Sequence, residues 1–386
     1  MSFRVWLSAR FFLFFLTWSS YLSYWGVWLL ASGFGPTEVT AIITAGLVSR
    51  SISIAVVFPM LCRTIPLRRL SQLLAWTATA LSPLYLTDPQ FGSMLVVSVL
   101  VGISYPLLMP LSETLATIGA ANGQVDYGSV RYFGSAGFLF GLCVSGVVGR
   151  LAGSGALVGV FVVGCLLLAV ADLVSPVGFP TVTTVASGGR VRLLRNRVYT
   201  LGLGSSVLLQ GAHAAYYAFG AEYFSRLGVS SINVSLMLAL AVGCELLLFK
   251  YAGPLLGGYP VPVLFAAAAA ISVLRWGLLA VPMPLAFVVL TQTLHAGTFA
   301  LTHLAHARCV QSHVPEDLWP NAQALYAGLA IGLGVAAVTA VTGPLYTASP
   351  HWAFLAMAVV CLPCFLLVRL QVKVLRDEAA VPESVS

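Results

Sequence analysis

The sequence predicts an all-α integral membrane protein, with twelve transmembrane helices in two six-helix bundles, and three observations carry that prediction. Only 8% of the 386 residues are charged and 59% are hydrophobic, with a mean hydropathy of +0.95. No soluble domain of this size tolerates such a composition on its surface. Apolar runs of about 20 residues, the length that crosses the hydrocarbon core, follow one another along nearly the whole chain, and twelve can be counted. The basic residues fall on one side of these runs. Counted from an internal N-terminus, fifteen Lys and Arg residues lie on the inner side and only Arg150 and Arg226 on the outer, with Arg50 and Arg275 on neither. This positive-inside bias puts both termini in the cytoplasm. The net charge of +7 therefore reports membrane orientation, and no nucleic-acid partner is expected.

The first run, Phe11 to Ala31, is too long for a signal peptide, lacks a small-residue cleavage site and is expected to remain as a spanning helix. Its Trp18, Tyr21, Trp25 and Trp28 recur at helical spacing and share a face. Trp18 and Tyr21 lie too deep for an interfacial belt, so they serve either helix packing or a stacking wall for an aromatic substrate. The second run, Thr37 to Leu61, places Arg50 about 20 Å from its outer end. A basic turn from Cys62 to Arg69 leads to the third run, which ends near Leu86. The fourth carries Gly102, Pro106 and Pro110, which should bend it, before Glu113. The fifth opens with Asp126 and Arg131, and its Gly134, Gly137 and Gly141 leave a shallow surface for a close neighbour. Asp126, Arg131, Gly134, Gly137 and, in the eleventh run, Gly332 are gating candidates, with static packing as the plainer alternative.

After the sixth run the chain turns rich in Pro, Gly, Ser and Thr from Ser175 to Gly189 and then basic at Arg190, Arg192, Arg195 and Arg197. That composition marks a linker. The expected organisation is an N-terminal bundle over 1–175, a cytoplasmic linker over 176–196, a C-terminal bundle over 197–372 and a cytoplasmic tail over 373–386. Laying one half on the other at an offset of 195 pairs Gly33 with Gly228, Val39 with Val234, Gly137 with Gly332, and Arg50 with Glu245. Two six-helix halves related by an axis along the membrane normal are the major facilitator arrangement, which holds its substrate near mid-depth.

In the second half, spacing of i, i+3 and i+4 brings Gln210, His213 and Tyr216 or Tyr217 onto one face of the seventh run. Glu245 stands alone in the eighth, where a carboxyl must be paired or protonated. The ninth and tenth hold Arg275, His295, His303 and His306, with Pro282 and Pro284 at the turn between them. A charge at bilayer depth costs roughly 2.5 to 3.5 kcal/mol on insertion scales, so these residues point to a polar interior built to carry something across the membrane. Depth separates Arg275, roughly 7 Å from its outer helix end, from Glu245 at roughly 20 Å, so a direct pair between them is not assured. His303 and His306 lie near the cytoplasmic end, where both should reach water. With His313 they lack the carboxylate or thiolate company of a metal site, and the seven cysteines, including Cys361 and Cys364, read as small packing residues. No metal and no cofactor are expected. The eleventh run, Pro320 to Leu345, is rich in glycine, and the twelfth ends at the basic stretch Arg369 to Arg376.

Several stretches resemble the 3-phenylpropionic acid transporter family, near the lactose permease branch of the major facilitator superfamily. They are Leu209 to Tyr217, Arg275-Trp276-Gly277, Leu294 to Phe299 with His303, Asp126 to Arg131 with Gly134-Ser135, and Gln323 to Tyr326. The turn after the second run departs from the superfamily pattern, because Pro59-Met60-Leu61-Cys62-Arg63 has the charge but neither the Gly nor the Asp. Lactose-permease-like symporters place a glutamate, an arginine and a histidine in helices 8, 9 and 10. The resemblance thereby maps those roles onto Glu245, Arg275, and His295 or His303. The tenth run has no carboxylate, so the proton carrier stays open among Glu245, His295 and His303.

The resemblance implies a proton-coupled symporter, without enzymatic activity, that imports a small organic anion such as 3-phenylpropionate. It would work as a monomer in the bacterial inner membrane, with protons, membrane lipid and the small-molecule substrate as its partners. Arg275 is the preferred partner for the substrate carboxylate and Arg50 the second, since a guanidinium fork matches two carboxylate oxygens. Trp18, Tyr21, Gln210, His213, Tyr216, Tyr217, His295 and Phe299 complete the expected binding set. A sugar or nucleoside symporter or a drug efflux pump of the same fold is the alternative, and a membrane-embedded enzyme the remoter one.

Overall fold

The computed structural model describes the chain apart from residues 88, 175, 180–189, 316–317 and 381–386. Nearly half of the expected linker and the end of the expected tail lie outside the described residues. Among the described residues the regular structure is helical, with one parallel bridge between Ser2 and Val177. Twelve rods follow in order: α1 (3–31), α2 (Pro36–Thr64), α3 (67–86), α4 (91–121), α5 (Tyr127–Ala152), α6 (154–171), α7 (197–226), α8 (Ser231–Leu256), α9 (Val261–Leu279), α10 (Leu285–His313), α11 (319–348) and α12 (350–380). Ten of them contain a stretch long and apolar enough to cross a membrane unaided. The exceptions are α3, which opens on Arg68, Arg69, Ser71 and Gln72, and α7, which is broken into Arg197–Gly211 and Ala214–Arg226.

Local chemistry sets several helix ends. Asp126 caps α5 by accepting the Ser129 N–H at 2.7 Å, and Asn196 caps α7 by accepting the Tyr199 N–H at 2.9 Å. The turn after α1 and the turn after α7 are copies of each other. Gly33 and Gly228, paired by the offset of 195, have φ of +95° and +83°, a region that favours glycine. The Phe34 N–H returns to Leu29 O at 3.3 Å and the Val229 N–H to Phe224 O at 3.2 Å, each again 195 residues apart. In α4 the bend expected at Pro106 appears as a 3-10 turn over Tyr105–Leu107.

The chain divides into two compact units. Unit 1 comprises Met1–Ala186 with Tyr216–Ala239, and unit 2 comprises Ser187–Ala215 with Leu240–Ser386. In unit 1, α5 lies against α1 along the predicted glycine seam. A Cβ at Gly137 would strike the Phe12 carbonyl, and one at Gly141 the Leu16 carbonyl. Close backbone approach is what small residues permit in lipid. The aromatic face of α1 divides by depth of burial. Trp25 and Trp28 are core, packed on Tyr85 and Phe161, whereas Trp18 and Tyr21 are only partly buried.

Arg10 is one of the fifteen basic residues counted on the inner side, yet it does not face water. It is fully buried in unit 1, ion-paired to Asp172 and bonded to Ser112 at 2.9 Å and Ser71 at 2.5 Å. Ser71 and Gln72 also donate to the Asp172 side chain and carbonyl. One charge pair therefore ties α1, α3 and α4 to the end of α6, with both ions multiply bonded, as burial of charge demands. In unit 2 a core of Leu193, Tyr199, Leu203, Val310, Val314 and Tyr326 joins α7, α10 and α11. Exposed side chains such as Leu100, Leu167, Leu290 and Leu366 give the helices the apolar coat a bilayer requires.

Candidate functional site

Unit 2 gathers its buried polar residues around one arginine. Arg275, one turn from the end of α9, is fully buried, with its guanidinium 4.4 Å from the centre of the Trp276 ring. Its Nη1 donates to His295 Nδ1 at 2.6 Å and to Thr298 Oγ1 at 3.1 Å, and its Nη2 reaches Gln292 Oε1 at 3.5 Å. On the far side of the same imidazole, His295 Nε2 lies 2.7 Å from Glu245 Oε1. Arg275 and Glu245, whose direct pairing helix depth left unassured, are thus joined through His295.

This geometry fixes the histidine's tautomer. A guanidinium can only donate, so Nδ1 of His295 must accept, and the ring proton then sits on Nε2, aimed at Glu245. His213 is ordered the same way. Its Nδ1 donates to the Leu209 carbonyl at 3.0 Å, which leaves Nε2 facing Thr298 Oγ1 at 3.0 Å. Phe299 stacks on His295 with ring centres 5.7 Å apart and meets His213 edge-on at 5.9 Å.

The backbone of α10 explains how His295, Thr298 and Phe299 converge. Residues Ala296–Ala300 form a π-helical turn, which rotates the following side chains relative to an α-helix and often marks functional sites. A Cβ at Gly297 would come within 2.8 Å of Ile271 atoms, so glycine lets α10 press onto α9 beside Arg275. Similar turns follow Arg50, at Ser53–Val57, and begin at Tyr326, at Tyr326–Gly334. Gly332 is buried in the latter turn.

A second polar knot lies further along α10. Gln210 donates to the Tyr326 hydroxyl at 2.9 Å, His303 Nδ1 sits 3.2 Å from the same hydroxyl, and the His306 ring stacks on Tyr326 at 4.3 Å. The expectation that His303 and His306 both reach water is corrected here. His306 is 1% exposed and His303 half-buried, because α7 and α11 cover that face.

The single face expected for Gln210, His213, Tyr216 and Tyr217 is interrupted. The break at Ala212–His213 leaves Gln210 and His213 in unit 2, while Tyr216 and Tyr217 belong to unit 1. In unit 1, Arg50 is partly exposed and sits 5.0 Å over the Trp18 ring. Tyr21 packs 5.5 Å from Trp18, and among the described residues no carboxylate bonds Arg50. Arg131 pairs with Glu113 at 3.1 Å and lies 4.5 Å over Phe15, while Asp126 serves as the α5 cap. Sequence reading passes over Thr298, Gln292 and Asp172. The signals were present, as polar residues three positions from His295 on either side and as a lone carboxylate closing the sixth run opposite Arg10.

Paired units of buried charge on a twelve-helix frame define a membrane transporter of major facilitator type, and comparison with known proteins agrees. The MFS_1 like family matches residues 4–356, and the chain belongs to that family. It is 27% identical over 365 residues to the "Probable 3-phenylpropionic acid transporter" of Escherichia coli (strain K12), covering 94% of this chain and 96% of that one. It is 29% identical over 272 residues to the "Maltose permease" of Geobacillus stearothermophilus, covering 68% and 67%. The solved structure of the nucleoside transporter NupG superposes with a TM-score of 0.83 at 16% identity, over 97% of this chain and 100% of that one. The protein is therefore a multi-pass membrane transporter of a small-molecule substrate.

Proposed function

We propose that the protein is a proton-coupled symporter that imports a small organic anion, with aromatic carboxylates such as 3-phenylpropionate as the substrate class. The observation that carries this reading is His295 held between Arg275 and Glu245. With Glu245 ionised the group has no net charge; when Glu245 takes a proton it becomes cationic. A cationic group favours a bound anion, so proton and organic anion each raise the other's affinity, which is the linkage that symport needs.

Both expected arginines remain carboxylate partners in this reading: Arg275, in the group whose charge Glu245 sets, and in unit 1 Arg50, whose ring neighbours Trp18 and Tyr21 suit an aromatic body. Gln210, His213, His295 and Phe299 in unit 2, and Tyr216 and Tyr217 in unit 1, keep the substrate-contacting role expected of them. Asp126, Arg131, Gly134, Gly137 and Gly332 keep their role in gating. The transporter works as a monomer in the bacterial inner membrane with both termini cytoplasmic, and its halves are 1–175 and 197–372.

Accumulation of labelled 3-phenylpropionate or cinnamate in proteoliposomes, with and without an inward proton gradient, tests this reading. Gradient-dependent accumulation is expected, and its absence for every organic acid overturns it. The resemblance to a maltose permease and a nucleoside transporter supports a second reading, a neutral sugar or nucleoside as cargo. Accumulation of those compounds in place of acids, in the same vesicles, selects it.

A further inference from the structure

Beyond the Glu245–His295 pair, α10 carries a second pair of imidazoles that the reading above leaves idle. Helical rise puts His303 about 12 Å and His306 about 16 Å further along the axis than His295, toward the end that carries Arg308. In the proposed orientation that end is cytoplasmic. Donor bookkeeping at His306 is informative. The Ser206 hydroxyl donates its one hydrogen to the Gly202 carbonyl at 2.9 Å. Its oxygen is therefore left to accept from His306 Nδ1, 3.3 Å away. The ring proton then lies on Nδ1, and Nε2 is a bare lone pair. That Nε2 is buried and has no hydrogen-bond partner among the described residues, a costly state for a polar atom unless it is used.

The surroundings hold the ring in place. Tyr326 stacks on it at 4.3 Å, Tyr199 meets it edge-on at 5.9 Å, and His303 touches the Tyr326 hydroxyl. Phe249 closes the other side of His303 at 5.9 Å. Among the described residues no carboxylate bonds His306, whose Nδ1 meets Ser206 and whose Nε2 has no partner, so a proton arriving on it meets no bonded anion to trap it. A shared positive charge three residues apart also disfavours holding two protons at once. A station that binds one proton and lets it go is what an exit path requires.

We propose that His306, with His303 beside it and Tyr326 as the positioning residue, is a second proton station through which the coupling proton leaves on the cytoplasmic side. This rests on the proton-coupled reading above. Glu245 gives up its proton and returns to the carboxylate. Water carries the proton to His303, it passes to His306 Nε2, and His306 returns to the neutral ring when the proton reaches cytoplasmic water. One proton moves and no other bond changes.

The test compares His306→Asn, Tyr326→Phe and Glu245→Gln in proteoliposomes, with two readouts for each. These are gradient-driven accumulation of the transported acid, and counterflow exchange, which needs no net proton release. Asparagine keeps a donor where Nδ1 bonds Ser206 and removes the Nε2 base. Expected are at least tenfold slower accumulation in His306→Asn with counterflow within twofold of the parent protein, and a smaller slowing in Tyr326→Phe. If His306→Asn accumulates normally while Glu245→Gln does not, the station is overturned and the coupling reading survives. If Glu245→Gln also accumulates normally, the coupling reading itself falls and the station with it. Equal loss of accumulation and counterflow in His306→Asn makes the residue structural and overturns the proposal.

Discussion

Arg275 Nη1 lies 2.6 Å from His295 Nδ1, and that one contact decides which nitrogen of the ring faces Glu245. Asparagine and glutamine separate the two nitrogens chemically, since the first reaches the Nδ1 position and the second the Nε2 position. His295→Asn keeps an acceptor for Arg275 and loses the donor to Glu245. A hydrogen bond to a charged group is worth about 1.5 to 3 kcal/mol, so gradient-driven accumulation should fall roughly tenfold or more with exchange preserved. His295→Gln keeps the Glu245 contact and frees Arg275, so it should lower substrate affinity as well. Identical behaviour of the two variants in uptake and counterflow assays sinks the tautomer argument.

Glu245 is the carboxylate that lies against His295 in the Arg275 group. Glu245→Gln keeps the shape, removes the titration and leaves the group permanently cationic. Accumulation against a gradient should be lost and counterflow should persist, with the organic anion bound at least as tightly as before. Dissociation constants and initial rates in reconstituted vesicles measure all three, and undiminished accumulation removes Glu245 from the proton path and with it the coupling reading built on the Glu245–His295 contact.

Arg50 offers a test of cargo chemistry. If it receives a carboxylate, Arg50→Ala removes a charge-assisted bond and should weaken binding of the acid by about 1.5 to 3 kcal/mol, roughly ten- to 150-fold. Lysine should restore part of this, because it keeps the charge without the fork. A neutral amide analogue of the acid should lose far less on the same substitution. Competition binding with the acid and its amide gives the comparison, and equal losses for both speak for the neutral-cargo reading.

The fold was legible because its signals are additive. Apolar run length, the sidedness of basic residues and the repeat at an offset of 195 each extend over many residues, and the repeat reappears as matched turns at Gly33 and Gly228. The residues of the site were legible as types, since Arg, His and Glu stand out in apolar helices. Their partners were not. Helix depth left a direct pair between Arg275 and Glu245 unassured, and only the placement of α10 puts His295 between them. The π-helical turn at Ala296–Ala300 has no simple sequence signature, so the convergence of Thr298 and Phe299 on that histidine could not be read from 3.6-residue spacing. Arg10 was hidden for the opposite reason, because its position near the basic N-terminus fits a surface charge as well as a buried one.

The Arg10–Asp172 pair gives a stability prediction independent of cargo. Removing one member of a buried ion pair strands the other and costs about 3 to 5 kcal/mol. Asp172→Asn and Arg10→Met should each therefore lower thermal stability in detergent sharply. Replacing both with apolar residues should recover much of the loss, since a packed apolar pair avoids the desolvation cost of two ions. A double-mutant cycle read by thermal unfolding measures the coupling. Additive losses show that the pair contributes little beyond its separate packing.

Gly137 separates a sliding seam from static packing. A Cβ there would run into the Phe12 backbone, which cannot give way as a side-chain tip can, so Gly137→Ala forces α1 and α5 apart and should cost about 1 to 3 kcal/mol. Gly159 on α6 has nothing within 4 Å of a Cβ, and Gly159→Ala should be neutral or stabilising by up to about 1 kcal/mol through helix propensity. Both losses are read by thermal unfolding, and transport is then compared at equal amounts of folded protein. If the seam only packs, Gly137→Ala transports in proportion to the protein that remains folded. If α1 moves against α5 during each cycle, turnover per folded molecule falls as well, because the added methyl catches on each ridge the helices must cross. A normal turnover in Gly137→Ala therefore removes the seam from the gate while leaving its role in packing intact.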